Sequence, residues 1–234
     1  MAEPRDKLCV ALDGSDRDWI VSTSRELAPH VGWLKLGLEA FTAFGPALVE
    51  EMMKIGPVFL DVKLHDIPNT VERAAANCAA TGVAMFNVHA SGGRAMMEAA
   101  VEGARRGSHA EPPLVIAVTV LTSLDAEALA GLGLGVDPKS LVLKWARLAK
   151  ESGLDGVVAS AREAAAIRRE CGENFLIVTP GIRPAWSATG DQKRIMTPAA
   201  AISAGADILV IGRPITSADS PADAAMRVLG ELAN

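Results

Sequence analysis

The sequence predicts an α/β fold, a single-domain (β/α)8 TIM barrel that spans residues 1–234. Two observations lead to this prediction. Short apolar runs recur eight times along the chain, and segments rich in Ala, Leu and charged residues separate them. This alternation is typical of parallel strands joined by helical crossovers. Eight such units in a chain of 234 residues favour a closed barrel.

The eight apolar runs have the length and composition of buried strands. In chain order they are LCVALD (8–13), WLKLG (33–37), VFLDVK (58–63), AMFNVHA (84–90), LVIAVTVL (114–121), GVVAS (156–160), FLIVTPG (175–181) and DILVIGR (207–213). After the third run, TVERAAANCAATG predicts a helix with Asn69 as its N-cap, Glu72 three residues later and Gly82 as its stop.

The alternative to a closed barrel is an open doubly wound sheet. A GxGxxG motif after the first strand would favour that fold, but the sequence there is LDGSDRDW.

The composition and charge of the chain argue against several classes of function. Charged residues make up 22% of the chain and the formal net charge is -5, so no nucleic-acid-binding surface is indicated. No stretch approaches the roughly 18 consecutive apolar residues of a membrane helix. The N-terminus lacks a signal-peptide apolar region, and the three cysteines have no CxxC spacing. We expect a soluble cytoplasmic protein with reduced thiols that binds neither nucleic acid nor membrane.

Polar side chains fall at or near the carboxyl ends of the predicted strands, the end that carries catalytic groups in barrels. These residues are Asp13, Lys35, Asp61, Lys63, His89, Thr119, Thr122 and Ser160. For His89 and Ser160 a structural hydrogen-bonding role is the preferred interpretation, because strand ends are often polar.

Four of the charges are expected to assemble. Asp61 and Lys63 are two apart on one strand and so share a face, Asp66 follows in the loop, and Lys35 lies on the neighbouring strand. The set sums to zero charge. Carboxylates beside Lys63 favour its ammonium form, which predicts a proton donor rather than a Schiff-base nucleophile. The alternative is a structural ion-pair network that closes the barrel.

A phosphate site is predicted after strands seven and eight, where barrels frequently bind phosphate. In IGRPI, Gly212 lets the backbone approach a ligand, Arg213 supplies a bidentate donor, and Pro214 begins a short helical turn. In TPGIRP, Gly181 and Arg183 form a second element of the same kind. The two loops together predict a phosphorylated substrate.

The segment from Arg183 to Met196, RPAWSATGDQKRIM, is long, polar and glycine-containing. Such a segment suits a lid that closes over a ligand, with Gln192 as a donor to phosphate. A mobile surface loop is the alternative. We therefore expect a phosphate-gripping lid at 183–196.

The motifs ALD, KLG, FLDVKLHDIPNTV, VTVLTS, TPGIRP, GDQKRIMTP and IGRPI occur in this order along the chain. In these motifs, and over nearly its whole length, the sequence resembles the orotidine 5'-phosphate decarboxylase family of the bacterial type. The DxKxxD motif with its IxNT extension is highly specific. The resemblance implies a TIM-barrel homodimer that converts orotidine 5'-monophosphate to uridine 5'-monophosphate and CO2, the last step of de novo UMP synthesis, without metal or organic cofactor.

The resemblance also implies roles for individual residues. Lys63 would protonate C6 of the pyrimidine, Asp61 would lie next to the scissile carboxylate, and Asp66 would complete the array in the neighbouring subunit's site. The substrate-binding set would comprise Lys35 and Asp13 at the ribose, Ile67 and Thr70 beside Asp66, Thr122 and Ser123 at the base, and Arg183, Gln192, Gly212 and Arg213 at the phosphate.

Two other functions stay open. One is a related sugar-phosphate enzyme, such as 3-keto-L-gulonate 6-phosphate decarboxylase or hexulose-phosphate synthase, which shares a DxKxxD-type strand but uses magnesium. Lys35 beside Asp61 argues against it, because an ammonium opposes a cation there. The other is a catalytically silent phosphate- or nucleotide-binding barrel, in which the charges only hold strands together.

Overall fold

Eight parallel strands close into a barrel in the computed structural model, which describes residues 3–187 and 196–233. Each strand pairs with its neighbours in sequence, and the first also pairs with the last. The strands are β1 Leu8–Ala11, β2 Trp33–Leu36, β3 Val58–Leu64, β4 Met85–His89, β5 Leu114–Val118, β6 Gly156–Val158, β7 Leu176–Thr179 and β8 Ile208–Ile211. The predicted barrel is confirmed, and the open sheet is excluded because β1 and β8 are hydrogen-bonded.

Ten helices occur in the described part of the chain, and most of them connect one strand to the next on the outside of the barrel. They are α1 Arg17–Leu27, α2 Leu38–Met53, α3 Pro68–Ala80, α4 Gly93–Gly107, α5 Ala126–Gly131, α6 Pro138–Glu151, α7 Ala161–Cys171, α8 Pro198–Ser203, α9 Arg213–Thr216 and α10 Pro221–Ala233. A 3-10 turn over Pro4–Lys7 precedes β1, and a second over Ala90–Gly92 precedes α4.

The N-terminus of α3 differs from the prediction. Asn69 does not cap the helix: the N-cap is Ile67, and Asn69 lies within the first turn. The reason is Pro68, whose fixed φ and missing N–H suit the first helical position, so the helix begins before Asn69. The predicted stop is confirmed, because Gly82 follows the last turn with a φ of 81°. Likewise α9 begins at Arg213, one residue before Pro214.

Apolar residues form two layers, inside and outside the sheet. The side chains that fill the barrel interior are Cys9, Phe59, Met85, Ile116, Val178, Ile208 and Val210. The alternate side chains of the same strands, such as Val10, Leu34 and Leu60, point outward and pack under the helices. Because these apolar side chains fill the interior, we expect the polar side chains that point into the barrel to lie at the ends of the strands.

Two further expectations are addressed by the fold. None of the helices in residues 3–187 and 196–233 is long and apolar enough to cross a membrane. Cys9, Cys78 and Cys171 are all buried and free, as expected for reduced thiols.

Helices α3 and α4 pack with their backbones close together, and Gly103 makes this possible. A Cβ at residue 103 would overlap the carbonyl oxygen of Glu72 on α3. We expect Gly103→Ala to lower the free energy of unfolding by about 1–3 kcal/mol, as overpacking does. The control is Gly131→Ala at the end of α5, where a Cβ meets nothing within 4 Å. That change should be neutral or stabilise by up to about 1 kcal/mol.

Urea denaturation of the two variants measures this difference. Equal stability of Gly103→Ala and wild type would contradict the close approach of α3 and α4.

Candidate active site

A cavity of about 250 Å³ opens at the carboxyl ends of the strands. Its lining combines three charged side chains with a largely apolar wall. The residues are Lys35, Phe59, Asp61, Lys63, Val118, Val120, Leu121, Thr122, Val158, Pro180 and Val210. The charged groups come from β2 and β3, and the apolar groups come mainly from β5 to β8 and the loops that follow them. The cavity therefore has one charged side and one apolar side.

Asp61 is the centre of the charged side. Lys35 Nζ lies 2.9 Å from its Oδ2, and Lys63 Nζ lies 2.6 Å from its Oδ1. The side chains of Asp61 and Lys35 are only 13% and 10% exposed, whereas Lys63 is 27% exposed and faces the cavity. The structure therefore brings together three of the four charges that the sequence places near one another.

The charges determine the ionisation of Asp61. Burial by itself would raise the pKa of this carboxyl, but the ammonium groups of Lys35 and Lys63 and their hydrogen bonds lower it to about 2. Lys35 is opposite Asp61 because it points into the barrel, between Leu34 and Leu36, which point outward. At neutral pH the site thus holds one carboxylate against two ammonium groups.

Lys63 has an unusual backbone. Its φ is 53°, the single positive value for a non-glycine residue in the described chain. The strand register shifts here, since Leu60 pairs with Phe86 whereas Leu64 pairs with Val88. Two extra residues on β3 therefore bulge out between these pairs. A left-handed conformation costs a residue with a side chain on the order of 1–3 kcal/mol, so the surrounding contacts must hold it.

Asn87 supplies those contacts, although it belongs to none of the predicted site residues. This β4 residue is fully buried. Its Nδ2 donates to Asp61 Oδ1 at 2.7 Å, and its Oδ1 accepts from the backbone N–H of Lys63 at 2.8 Å. The signal that could have found it is an amide in the otherwise apolar run MFNVH, because a buried amide requires hydrogen-bond partners.

Two strand-end residues, Ser160 and Thr119, have structural hydrogen bonds, and a third, His89, lies beside another histidine. Ser160 caps α7 by accepting from the N–H of Arg162 at 3.3 Å, in line with its expected structural role. Thr119 donates to the carbonyl of Val158 at 2.9 Å and so ties β5 to β6. The ring of His89 lies 5.5 Å from that of His65. Burial, together with the charges of His65 and Lys63, lowers the pKa of His89, which favours a neutral imidazole.

A second cavity of about 260 Å³ adjoins the first, since both are bordered by Pro180 and Val210. Its lining comes from the ends of β1 and β8 and from the segments that follow β1, β7 and β8. The residues are Ala11, Asp13, Pro180, Gly181, Arg183, Val210, Gly212, Arg213 and Thr216. The two arginines and two glycines predicted for a phosphate site thus line one cavity. Asp13 lies at its edge, where its Oδ1 accepts from the N–H of Ala40 at 3.0 Å.

The ends of the predicted lid lie side by side. Ile182 and Met196 form a parallel β-bridge, and the N–H of Arg183 donates to the carbonyl of Met196 at 3.0 Å. The Arg227 guanidinium on α10 lies 4.0 Å from the centre of the Trp186 ring. Gln192 lies outside the described residues.

Four predicted site residues lie outside both cavities of their own chain. Asp66, Ile67, Thr70 and Ser123 border neither cavity, and all four are exposed at the surface. The Asp66 carboxylate accepts from the N–H of Ile67 at 2.6 Å and does not join Lys35, Asp61 and Lys63. The expectation that all four charges assemble within one chain is therefore wrong, because the loop directs Asp66 to the surface.

Comparisons with known proteins show the family of the chain. The model of the Orotidine 5'-phosphate decarboxylase / HUMPS family matches residues 6–228. An orotidine 5'-phosphate decarboxylase from Syntrophomonas wolfei is 49% identical and covers 98% of this chain and 99% of its own. One from Moorella thermoacetica is 52% identical and covers 97% and 92%. The crystal structure of orotidine 5'-phosphate decarboxylase from Lactobacillus acidophilus is 34% identical, with a TM-score of 0.87 over 97% of this chain and 99% of that chain.

The low pKa of Asp61 predicts a pH dependence of stability. The folded pKa of about 2 lies below the ordinary value of 3.8, so the carboxylate stabilises the folded chain above that value. This contribution, on the order of 2 kcal/mol, disappears as the pH falls from about 4 through 2. In Lys35→Met the pKa of Asp61 should rise. We therefore expect this variant to lose less stability than the wild type over the same pH interval. Stability at pH 7 should also fall by about 1–3 kcal/mol, because the buried Asp61 carboxylate loses one of its hydrogen-bond partners.

Urea unfolding at a series of pH values measures both effects. Lys144→Met on the exposed face of α6 is the control and should follow the wild type. An unchanged pH dependence in Lys35→Met would contradict the coupling of Lys35 to Asp61.

Proposed function

The chain belongs to the orotidine 5'-phosphate decarboxylase / HUMPS family, and we propose that it decarboxylates orotidine 5'-monophosphate to uridine 5'-monophosphate and CO2, the last step of de novo UMP synthesis. The observation that carries this proposal is the Asp61 carboxylate between two ammonium groups, at one side of a cavity that adjoins an arginine-lined one. The first cavity would hold the pyrimidine, and the second would hold the phosphate.

The chemistry requires a fixed positive charge at the reacting carbon. When the bond from C6 to the carboxylate breaks, CO2 leaves and its bonding electron pair stays on C6, which has no conventional electron sink. The Lys63 ammonium faces the cavity, so it would stabilise this developing charge and then donate its proton to C6. Lys35 lies deeper and would keep Asp61 ionised and contact a ribose hydroxyl.

Asp61 would act through repulsion. Its carboxylate would lie next to the carboxylate of the bound substrate, and that repulsion disappears as CO2 departs. The interaction therefore favours the transition state over the ground state. Because the pKa of Asp61 is about 2, this carboxylate keeps its charge at neutral pH.

Binding energy far from C6 would hold the substrate against this repulsion. We propose that the phosphate is bound by Arg183, Gly212, Arg213 and Gln192. The ribose would be contacted by Asp13. Thr122 lines the first cavity and would face the base. Ser123 borders neither cavity, so a contact with the base rests on the resemblance alone. The segment 183–196 would close over the phosphate as a lid, and the β-bridge between Ile182 and Met196 supports this by joining its two ends.

We propose that the active unit is a homodimer with shared sites. Asp66, Ile67 and Thr70 are exposed at the start of α3, and Ile67 is 66% exposed although it is apolar. An exposed apolar side chain flanked by Asp66 and Thr70 suits an interface. In the dimer, Asp66 and Thr70 would enter the site of the other subunit, where Asp66 would complete the charge array.

The family description also names HUMPS, and a magnesium-dependent sugar-phosphate enzyme is the alternative to exclude. A magnesium ion beside Asp61 is disfavoured, because the Lys35 ammonium already lies 2.9 Å from its Oδ2. The assay that separates the two functions follows the loss of orotidine 5'-monophosphate absorbance in the presence of a chelator. Undiminished turnover supports the proposal, whereas no turnover with or without magnesium contradicts it and leaves a silent nucleotide-binding barrel.

Removing the proton donor should separate binding from chemistry. We expect Lys63→Ala to lower the turnover number by about 10²–10⁴-fold, the usual range for general acid catalysis. The variant should fold, since the Lys63 side chain is partly exposed, and it should still bind uridine 5'-monophosphate in calorimetry. The matched control is Lys144→Ala, which should keep wild-type turnover. Turnover of Lys63→Ala close to wild type would rule out this role for Lys63.

Mixed dimers test the shared site. When Asp66→Ala and Lys63→Ala subunits are mixed, each mixed dimer should contain one intact site, made of Lys63 from one chain and Asp66 from the other. Random mixing should therefore restore about one quarter of wild-type activity. The control mixes Lys63→Ala with Lys35→Ala, where both defects lie within each chain's own site and no restoration is expected. Absence of restoration in the first pair, in verified mixed dimers, would contradict the shared site.

A further inference from the structure

The side-chain amide of Asn87 is hydrogen-bonded to both Asp61 and Lys63. The proposed mechanism requires these two residues to keep a fixed position relative to each other. Asn87 is fully buried at the centre of β4, and both of its hydrogen bonds run to the array. One goes to the side chain of Asp61 and the other to the backbone of Lys63. Asn87 thus connects the carboxylate to the lysine backbone from a neighbouring strand.

The chemistry of the two partners fixes the orientation of the amide. Only the NH2 group can donate to the carboxylate of Asp61, and only the carbonyl can accept from the N–H of Lys63. A rotated amide would set a carbonyl against a carboxylate and an NH2 against an N–H. The arrangement is therefore specific for an asparagine, since Leu offers neither group and Asp offers two acceptors.

The hydrogen bond to Lys63 falls at the bulge of β3. Lys63 has a φ of 53°, which a residue with a side chain adopts rarely without external support. In the interval where β3 is out of register with β4, the Asn87 carbonyl satisfies the N–H of Lys63. A hydrogen bond to a side chain thus replaces the backbone hydrogen bond that a regular strand would form here. The Lys63 side chain lines the cavity.

We propose that Asn87 is a positioning residue that holds the backbone of Lys63 in its left-handed conformation and fixes the Asp61 carboxylate relative to the Lys63 ammonium. This inference rests on the proposed decarboxylation. Asn87 does not line the cavity, so it would act through Lys63 and Asp61 and would not touch the substrate. Its loss should therefore slow the chemical step and leave ground-state binding nearly unchanged.

The first variant is Asn87→Leu, which keeps the number and branching of the side-chain heavy atoms and removes both hydrogen bonds. We expect kcat to fall on the order of 10- to 100-fold, as misplacement of a reacting group does, with little change in KM or in affinity for uridine 5'-monophosphate. The control is Thr179→Val on β7, which is also fully buried and whose Oγ1 has no partner among the described residues. It should keep wild-type kcat.

The second variant, Asn87→Asp, keeps an acceptor for Lys63 and places a carboxylate against Asp61. The two carboxylates repel, so the acid limb of the kcat profile should move to higher pH than in wild type. If Asn87→Leu does not fold, the pH profile of Asn87→Asp tests the proposal by itself. A wild-type pH profile in Asn87→Asp, or a wild-type kcat in folded Asn87→Leu, overturns the proposal. So does a fall in kcat that merely parallels the folded fraction.

Failure of the proposed function can be told apart from failure of this inference. Turnover of orotidine 5'-monophosphate by the wild type tests the former. A crystal structure of Asn87→Leu, or of Asn87→Asp if the first does not fold, tests the latter without turnover.

In the Asn87→Leu crystal structure the φ of Lys63 should leave the left-handed region, or its Nζ should move away from Asp61. An unchanged Lys63 in this variant overturns the positioning role. In the Asn87→Asp crystal structure, movement of the Asp61 carboxylate away from the introduced carboxylate supports the role, and an unchanged Asp61 overturns it.

Discussion

The buried carboxylate of Asp61 is the constraint on which the site depends. A charge with 13% exposure is unstable without compensation, and here two ammonium groups and one amide provide it. Each of the three donors comes from a defined place in the barrel: Lys35 from β2, Lys63 from the bulge of β3 and Asn87 from β4. The closed sheet holds these three strands side by side, so the fold itself sets the geometry of the charges.

The bulge in β3 lets Lys63 face the cavity and lets Asn87 accept a hydrogen bond from the backbone of Lys63. A regular strand would continue its ladder with β4 up to the rim and would leave no space for an amide to bond the backbone of Lys63. Two extra residues on β3 break that ladder between Leu60 and Leu64. The lysine then projects from a left-handed backbone into the cavity, with Asn87 satisfying its N–H. Local strain is placed at the group proposed to carry the chemistry and is offset by hydrogen bonds beneath it.

In the proposed function the two cavities divide phosphate binding from the chemical step. The first has a charged side and an apolar wall, and the second is lined by glycines and arginines from loops. Pro180 and Val210 border both, so a nucleotide could span them with its phosphate distant from the reacting carbon. Such separation lets binding at one end hold a strained arrangement at the other. The β-bridge at the ends of segment 183–196 keeps those ends beside the arginine-lined cavity.

Local patterns in the sequence were enough to predict the eight strands, the closed barrel and the gathering of Lys35, Asp61 and Lys63 at one end, because periodicity and strand-end polarity are properties of short segments. Other features depend on how distant segments meet. The left-handed Lys63 and its bond to Asn87 require a register shift between two strands, and no short-range pattern encodes such a shift. The cap of α3 is Ile67 because Pro68 takes the first helical position. Asp66 points to the surface because the loop after β3 turns outward, which sequence spacing alone does not reveal.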